Sequence, residues 1–141
     1  MKKEYEILHK TPTLEEYKHL CSLVGLSNYI NFNVAELSLK NSIFTVIVKD
    51  NNKIIGMGRV VGDGAIYFYI QDVIVHPNYR GIGMGQDIMN RLVEYLKENA
   101  PSKAFVGLFI SNGKANFYKK YQFENYTPNI NGTYTVINKG N

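Results

Sequence analysis

Three glycines in six residues, Arg80-Gly81-Ile82-Gly83-Met84-Gly85, stand just ahead of a run with helical periodicity. Main chain without side chains can come close to a ligand with its N–H groups outward. The dipole of the helix behind it adds roughly half a positive charge. This is the chemistry of an anion cradle, and a pyrophosphate is the guest it suits. Two common phosphate loops are excluded by spelling, because the Walker loop ends in Gly-Lys-Ser/Thr and the dinucleotide loop reads Gly-x-Gly-x-x-Gly. Counted from Gly81 the last dinucleotide position holds Gln86, and from Gly83 it holds Ile88.

Other groups that could do chemistry are fewer. Cys21 is the only cysteine, which rules out an internal disulfide or a cysteine zinc site. As an acyl-accepting nucleophile it would need a base, and no histidine can be assigned to it, so it reads as core packing. His76 has a convenient reference pKa of about 6.5 but precedes Pro77 in a loop, and it reads as non-catalytic. His9 and His19 read as surface or core-edge residues. No cluster has metal-ligand spacing, so no metal is expected.

The elements that would position the glycine turn follow from periodicity. Tyr5 to Leu8 reads as a short strand, and Thr13-Leu14-Glu15-Glu16 spells a capping box that should open a helix. Leu14, Tyr17, Leu20, Cys21 and Val24 then recur at helical steps, with Gly25 as the stop. Asn33-Val34-Ala35-Glu36 offers a second cap and a short helix through Leu39. Three β-branched and aromatic runs follow, Ser42 to Val48, Ile54 to Val61 and Ala65 to Val75, and read as an antiparallel meander. Asp63-Gly64 is expected to make a tight hairpin turn between the last two.

The third run is apolar on both alternating faces and reads as a central strand covered on both sides. Behind the glycines, Ile88, Leu92, Val93 and Leu96 mark the buried face of a helix ending near Ala100-Pro101. Ala104 to Ile110 reads as a strand, and strand, helix, strand in that order requires a parallel pair. A helix from about Lys114 to Tyr121 and two strands around Asn131-Gly132 complete the reading. The fold class is α/β in the mixed sense: antiparallel strands first, a parallel central pair later, helices on both faces.

Composition bounds the rest. A chain of 141 residues with 45% apolar content suits one globular domain, 1–141. The formal charge of +4 is scattered along the chain, which suits a polyanionic small molecule and argues against a nucleic-acid arm. No apolar run approaches the ~18 residues of a membrane span, and the opening MKKEYEILHK has no signal-peptide core. A cytoplasmic protein with no membrane and no nucleic-acid partner is expected.

The segment Val73-Ile74-Val75-His76-Pro77-Asn78-Tyr79-Arg80-Gly81-Ile82-Gly83-Met84-Gly85 resembles the Arg/Gln-x-x-Gly-x-Gly/Ala loop of GCN5-related N-acetyltransferases. Gly113-Lys114-Ala115-Asn116-Phe117-Tyr118-Lys119-Lys120-Tyr121-Gln122-Phe123 is similar to that family's Phe/Leu-Tyr-x-x-x-Gly-Phe helix, with Gln122 where glycine is usual. Together with the strand order, the resemblance covers about Ser42 to Phe123. Gly56-Met57-Gly58-Arg59-Val60-Val61-Gly62-Asp63-Gly64 also resembles the arylalkylamine (serotonin) N-acetyltransferase branch, which points to a small aromatic or aliphatic amine.

The resemblance implies acetyl-CoA as co-substrate, with its diphosphate on Arg80, Gly81, Ile82, Gly83, Met84 and Gly85. It implies a pantetheine arm paired with Val73, Ile74 and Val75 as an added strand, with Asn112 on the pantetheine amides. Tyr118 matches the tyrosine that protonates the departing thiolate. Because a free alkylamine is protonated at pH 7, a base or water chain must take a proton, and Asp72 is the first candidate. A structural role for Asp72 is the alternative. The function expected is direct acetyl transfer, in a ternary complex, to a primary amine of a small molecule. A non-catalytic acyl-CoA-binding module and a lysine or N-terminal protein acetyltransferase are the alternatives. Since relatives often pair, a homodimer is expected too.

Overall fold

The computed structural model describes residues 4–109, 118–124 and 133–139. The chain falls into two compact units, Met1–Phe109 and Ile110–Asn141. The first holds β1 (Glu6–His9), α1 (Leu14–Leu23), α2 (Ala35–Lys40), β2 (Phe44–Asp50), β3 (Lys53–Gly62), β4 (Tyr67–Val75), α3 (Met84–Asn99) and β5 (Phe105–Gly107). Its single five-stranded sheet runs β1-β2-β3-β4-β5, antiparallel through β4, and β5 lies parallel to β4. This is the mixed architecture expected from the order of the elements.

Local chemistry explains most of the boundaries. Thr13 Oγ1 accepts from the Glu16 main-chain N–H at 3.1 Å while the Glu16 side chain accepts from Thr13 N–H at 2.9 Å, closing the capping box. Gly25, at φ 76, follows the end of α1. The second helix departs from its expected start: Val34 precedes it without a side-chain cap, and it is Asn31 whose Oδ1 accepts from Asn33 N–H, opening a 3₁₀ turn at Phe32–Val34.

The tight positive-φ pair also sits elsewhere than expected. Asn51 and Asn52, at φ 48 and 68, turn β2 into β3, as the twist of a two-residue hairpin requires. At the β3–β4 connection Gly64 alone of the expected pair has positive φ. Asp63 instead accepts three main-chain N–H bonds, from Ala65, Ile66 and Tyr67, and holds a wider loop.

Helices cover the sheet on both sides. One side buries Tyr17, Leu20 and Cys21 of α1 and Ala35 and Leu39 of α2 against Ile47, Met57 and Ile74. On the other, α3 lies close over β3, so that a Cβ on Gly58 would stand 2.5 Å from Ile88 Cγ2 and 3.0 Å from Leu92 Cδ1. Cys21 is fully buried, as expected for core packing. Tyr67 and Tyr69, at the start of β4, are exposed, so the covering of both faces expected for this strand is not met at its first turn of residues.

In the second unit Tyr118 and Lys119 are helical, and Gln122 N–H donates to Lys119 O at 2.9 Å. Gln122 takes φ 71, the left-handed position in which the family's glycine would be free of strain. A left-handed non-glycine residue costs about 1–2 kcal/mol, and glycine loses about 0.5–1 kcal/mol of that gain to chain entropy. Gln122→Gly is therefore expected to stabilise the protein by roughly 0.5 kcal/mol, read as a rise in the denaturation midpoint. The start of the expected helix (114–117) and the strands around Asn131-Gly132 lie outside the described residues.

Candidate active site

The β3–β4 pairing is interrupted by an irregularity in β4. Met57 pairs with Ile74 and Arg59 with Gln71, so that Gly58 alone opposes two residues, Asp72 and Val73. This is a β-bulge, and Asp72 carries its strain at φ 55. The bulge breaks the alternation that the sequence implied. Val73 faces α3, since its Cγ2 lies 3.7 Å from the place of a Gly58 Cβ. Ile74 packs in the α1 cluster, and Asp72 reaches toward α1 as well. Asp72 and Ile74 therefore do share a face, and it is the face of α1.

Pairing on the far edge of β4 stops early. β5 pairs with Tyr67, Phe68 and Tyr69, and no described residue continues beyond the Tyr69–Gly107 pair. Along Val73, Ile74 and Val75 no described residue pairs with the strand on this side. The first residue past this edge, His76, opens a 3₁₀ turn at Pro77–Tyr79, with its Nδ1 accepting from Asn78 N–H at 3.0 Å. That turn leads directly into the glycines.

The glycine turn has the form a diphosphate needs. Gly81 and Gly83 take φ 83 and 89, and Gly83 stands immediately before α3 with no side-chain cap. Arg80, Gly81 and Gly83 are exposed, and a Cβ on Gly81 would meet nothing within 4 Å. Met84, by contrast, is buried and anchors the helix start against the sheet. The first N–H groups of a helix have no carbonyl one turn back, so they are left to a ligand or water. The residues present fit an anionic group.

Asp72 does not stand alone. Its Oδ2 accepts from Arg59 Nε at 2.9 Å and from Tyr17 Oη at 3.0 Å. Arg59 donates onward through Nη1 to Ser38 O at 3.1 Å and Ser42 Oγ at 3.0 Å, and through Nη2 to Ser38 Oγ at 3.2 Å. Burial, and next the Asp72 carboxylate, push the Tyr17 phenol well above its ordinary pKa. Tyr17, Ser38 and Arg59 also line a cavity of about 190 Å³, together with Tyr29, Ile30 and Asn31. A larger hollow of about 340 Å³ lies between Tyr5, Ile7 of β1, and Asp87, Asn90 and Arg91 of α3, and contains no residue of the bulge or the glycine turn.

Arg59 and Tyr17 were not singled out by sequence reasoning, although a signal existed. Arg59 is the only charge between Ile54 and Val61 in an otherwise apolar strand, and a charge there demands a counter-charge. Asp72 was the costly carboxylate on the neighbouring strand. Two expensive groups on adjacent strands were each other's answer. Tyr118 lies in the second unit, where burial raises its phenol above the ordinary value and its ring meets Phe123 edge-on at 6.5 Å. Asn112 lies outside the described residues.

Residues 40–125 match the acetyltransferase (GNAT) domain. The uncharacterised N-acetyltransferase ycf52 of Pyropia yezoensis is 31% identical over 119 residues, 82% of this chain and 67% of that protein. A probable acetyltransferase of meticillin-resistant Staphylococcus aureus superposes with a TM-score of 0.86 at 32% identity, over 94% of this chain and 99% of that one. A predicted acetyltransferase of Clostridium acetobutylicum, solved with acetyl-CoA, shares the fold at 19% identity, with a TM-score of 0.64 over 91% and 96% of the two chains. The chain belongs to the GNAT acetyltransferase family and is an acetyltransferase. It spans about two thirds of the length of its Pyropia relative. Among the described residues no helix is long and apolar enough to cross a membrane.

Proposed function

We propose that the protein transfers the acetyl group of acetyl-CoA directly to a primary amine of a small molecule, both substrates being bound together. The observation that carries this reading is the edge of β4 at Val73–Val75, which no described residue pairs beyond β3, running from a bulge at one end into an exposed glycine turn at the other. In it, Arg80 to Gly85 hold the diphosphate, and Val73 to Val75 pair with the pantetheine amides. Acetyl-CoA supplies an already activated thioester.

The chain then has three tasks. A main-chain N–H turned out at the bulge holds the developing oxyanion, where a fixed donor is worth most. Asp72 takes the proton from the incoming ammonium, directly or through water, with Oδ2 held by Arg59 and Tyr17 so that Oδ1 is the oxygen available. Tyr118 delivers a proton to the leaving sulfur. The cavity of about 190 Å³ beside Arg59 supports a small acceptor.

Tyr118→Phe is expected to lower kcat at least about tenfold while sparing CoA affinity, the pattern of a lost acid. Because burial raises the Tyr118 phenol, its proton is retained past pH 10 and lost only as pH climbs through the raised value. The alkaline limb of kcat belongs above that of an ordinary tyrosine, and a limb below pH 10 that vanishes in Tyr118→Phe would contradict the assignment. Initial velocities with both substrates varied test the direct route. Intersecting lines are expected, whereas parallel lines and an acetylated Cys21 would replace it with a covalent one.

A further inference from the structure

We infer that Arg59 is a positioning residue for acetyl transfer: by gripping the Asp72 carboxylate from the neighbouring strand, it fixes the β4 bulge that aims main chain at the thioester. The inference rests on the reading above, that the open edge of β4 receives acetyl-CoA.

A bulge has to be selected against a regular pairing that would return every residue of β4 to the ladder. Two features select it here. Opposite the bulge, Gly58 has no Cβ, and α3 fills that space so closely that Ile88 Cγ2 lies 2.5 Å from where one would be. The second is the direction of Asp72. At φ 55 the residue sits in a region costly for any side chain, though less so for Asp than for most. Its carboxylate swings to the α1 side, where Arg59 Nε and Tyr17 Oη converge on one oxygen. Without them the strained backbone would hold a largely covered carboxylate stripped of both these donors.

Arg59 can act as a strut because its other end is fixed. Nη1 and Nη2 are tied to Ser38 and Ser42, at the end of α2 and just beyond it, so the guanidinium spans from that segment to the bulge. Lysine could carry the charge, but it lacks the planar fork that reaches both ends at once. The same side chain lines the small cavity with Tyr17 and Ser38, so one rigid group forms the acceptor wall and sets the strand that meets the thioester. Displacing reacting groups by even about 1 Å can cost a hundredfold in rate.

The test compares CoA with acetyl-CoA, which differ only in the acetyl group, by calorimetry on the full chain. In Arg59→Lys the CoA constant should stay within about twofold. The ratio of the CoA to the acetyl-CoA constant should shift by about three- to tenfold against acetyl-CoA, the loss of one hydrogen bond to the carbonyl. With the best amine found for the wild type, kcat should fall about ten- to a hundredfold. Tyr17→Phe and Ser38→Ala, each removing one bond of the strut, should move the ratio the same way by less, and they carry the test if Arg59→Lys fails to fold by circular dichroism. A folded variant with the wild-type ratio and kcat within twofold would overturn the proposal. Wild-type protein that binds neither ligand would overturn the underlying reading, and the strut's catalytic role with it.

Discussion

Gly83→Val should weaken acetyl-CoA binding by at least about a hundredfold while the protein stays folded. At φ 89 the residue occupies a conformation that a β-branched side chain cannot hold without a cost of at least about 1–2 kcal/mol. The turn would have to open, and the N–H groups of Gly83, Met84 and Gly85 would no longer converge on one anion. Gly83 is exposed, so no core contact is lost directly. The main effect falls on the ligand, with a fall in melting temperature of a few degrees for the strain. Gly81→Ala is the gentler companion. Its Cβ would meet no described residue beyond its chain neighbours within 4 Å, so a loss of affinity there beyond the strain of φ 83 reports the ligand's claim on that space. Calorimetric titration with acetyl-CoA checks both, and wild-type affinity in a folded Gly83→Val protein would remove the loop from the site.

The second large effect is expected at Asp72. Its side chain is 12% exposed and that of Arg59 9%, so Asp72→Asn leaves a nearly buried guanidinium without its counter-charge. Breaking such a pair from one side costs about 3–5 kcal/mol. The low end applies here because Ser38 and Ser42 still satisfy most of the guanidinium. A loss of about 3 kcal/mol would lower the melting temperature by roughly 10 °C. Turnover should fall too, since the proposed proton acceptor is gone. The double exchange Arg59→Met with Asp72→Leu separates the two effects. Apolar groups of similar size in place of an ion pair often restore stability, yet they cannot take a proton or reproduce the strut. Recovered folding with turnover still lost is the expected result. Recovered turnover would show that neither residue serves the reaction.

What the sequence made legible follows the range of the interactions concerned. Short-range chemistry read well: the Thr13 capping box, the stop at Gly25, the buried stripe of α3 and the glycine turn all depend on residues within one turn of each other. The parallel β4–β5 pair was implied by connectivity alone. No residue type marks the bulge, because one extra residue in a strand leaves no mark on a pattern of alternating apolar side chains. Its consequence for facing was therefore read as strict alternation, and β4 past Gln71 departs from it. The hairpin turns show the same limit. Asn51-Asn52 and Asp63-Gly64 both spell positive φ, and Asp63 Oδ1, by gathering three N–H groups, widens the second loop.

The site was legible in part for the same reason. The residues proposed to act through main chain, Val73 to Val75 and Gly81 to Gly85, form two short continuous segments, and their types report their backbone. The Arg59–Asp72–Tyr17 cluster joins three elements across 55 positions of sequence, and only the fold brings them together. Gln122 is the instructive departure. It stands where the family has glycine and still adopts φ 71, so the turn is kept and the strain accepted.

Release of free thiol from acetyl-CoA, with the acetylated product weighed by mass spectrometry, tests the central claim most directly. The panel should hold arylalkylamines, polyamines, amino sugars and a lysine-containing peptide. The account predicts acetyl-CoA-dependent N-acetylation of at least one small primary amine, one thiol released for each acetyl group transferred, with the peptide far slower. Binding of acetyl-CoA with no thiol released above hydrolysis for any amine, or turnover confined to the peptide, would contradict it.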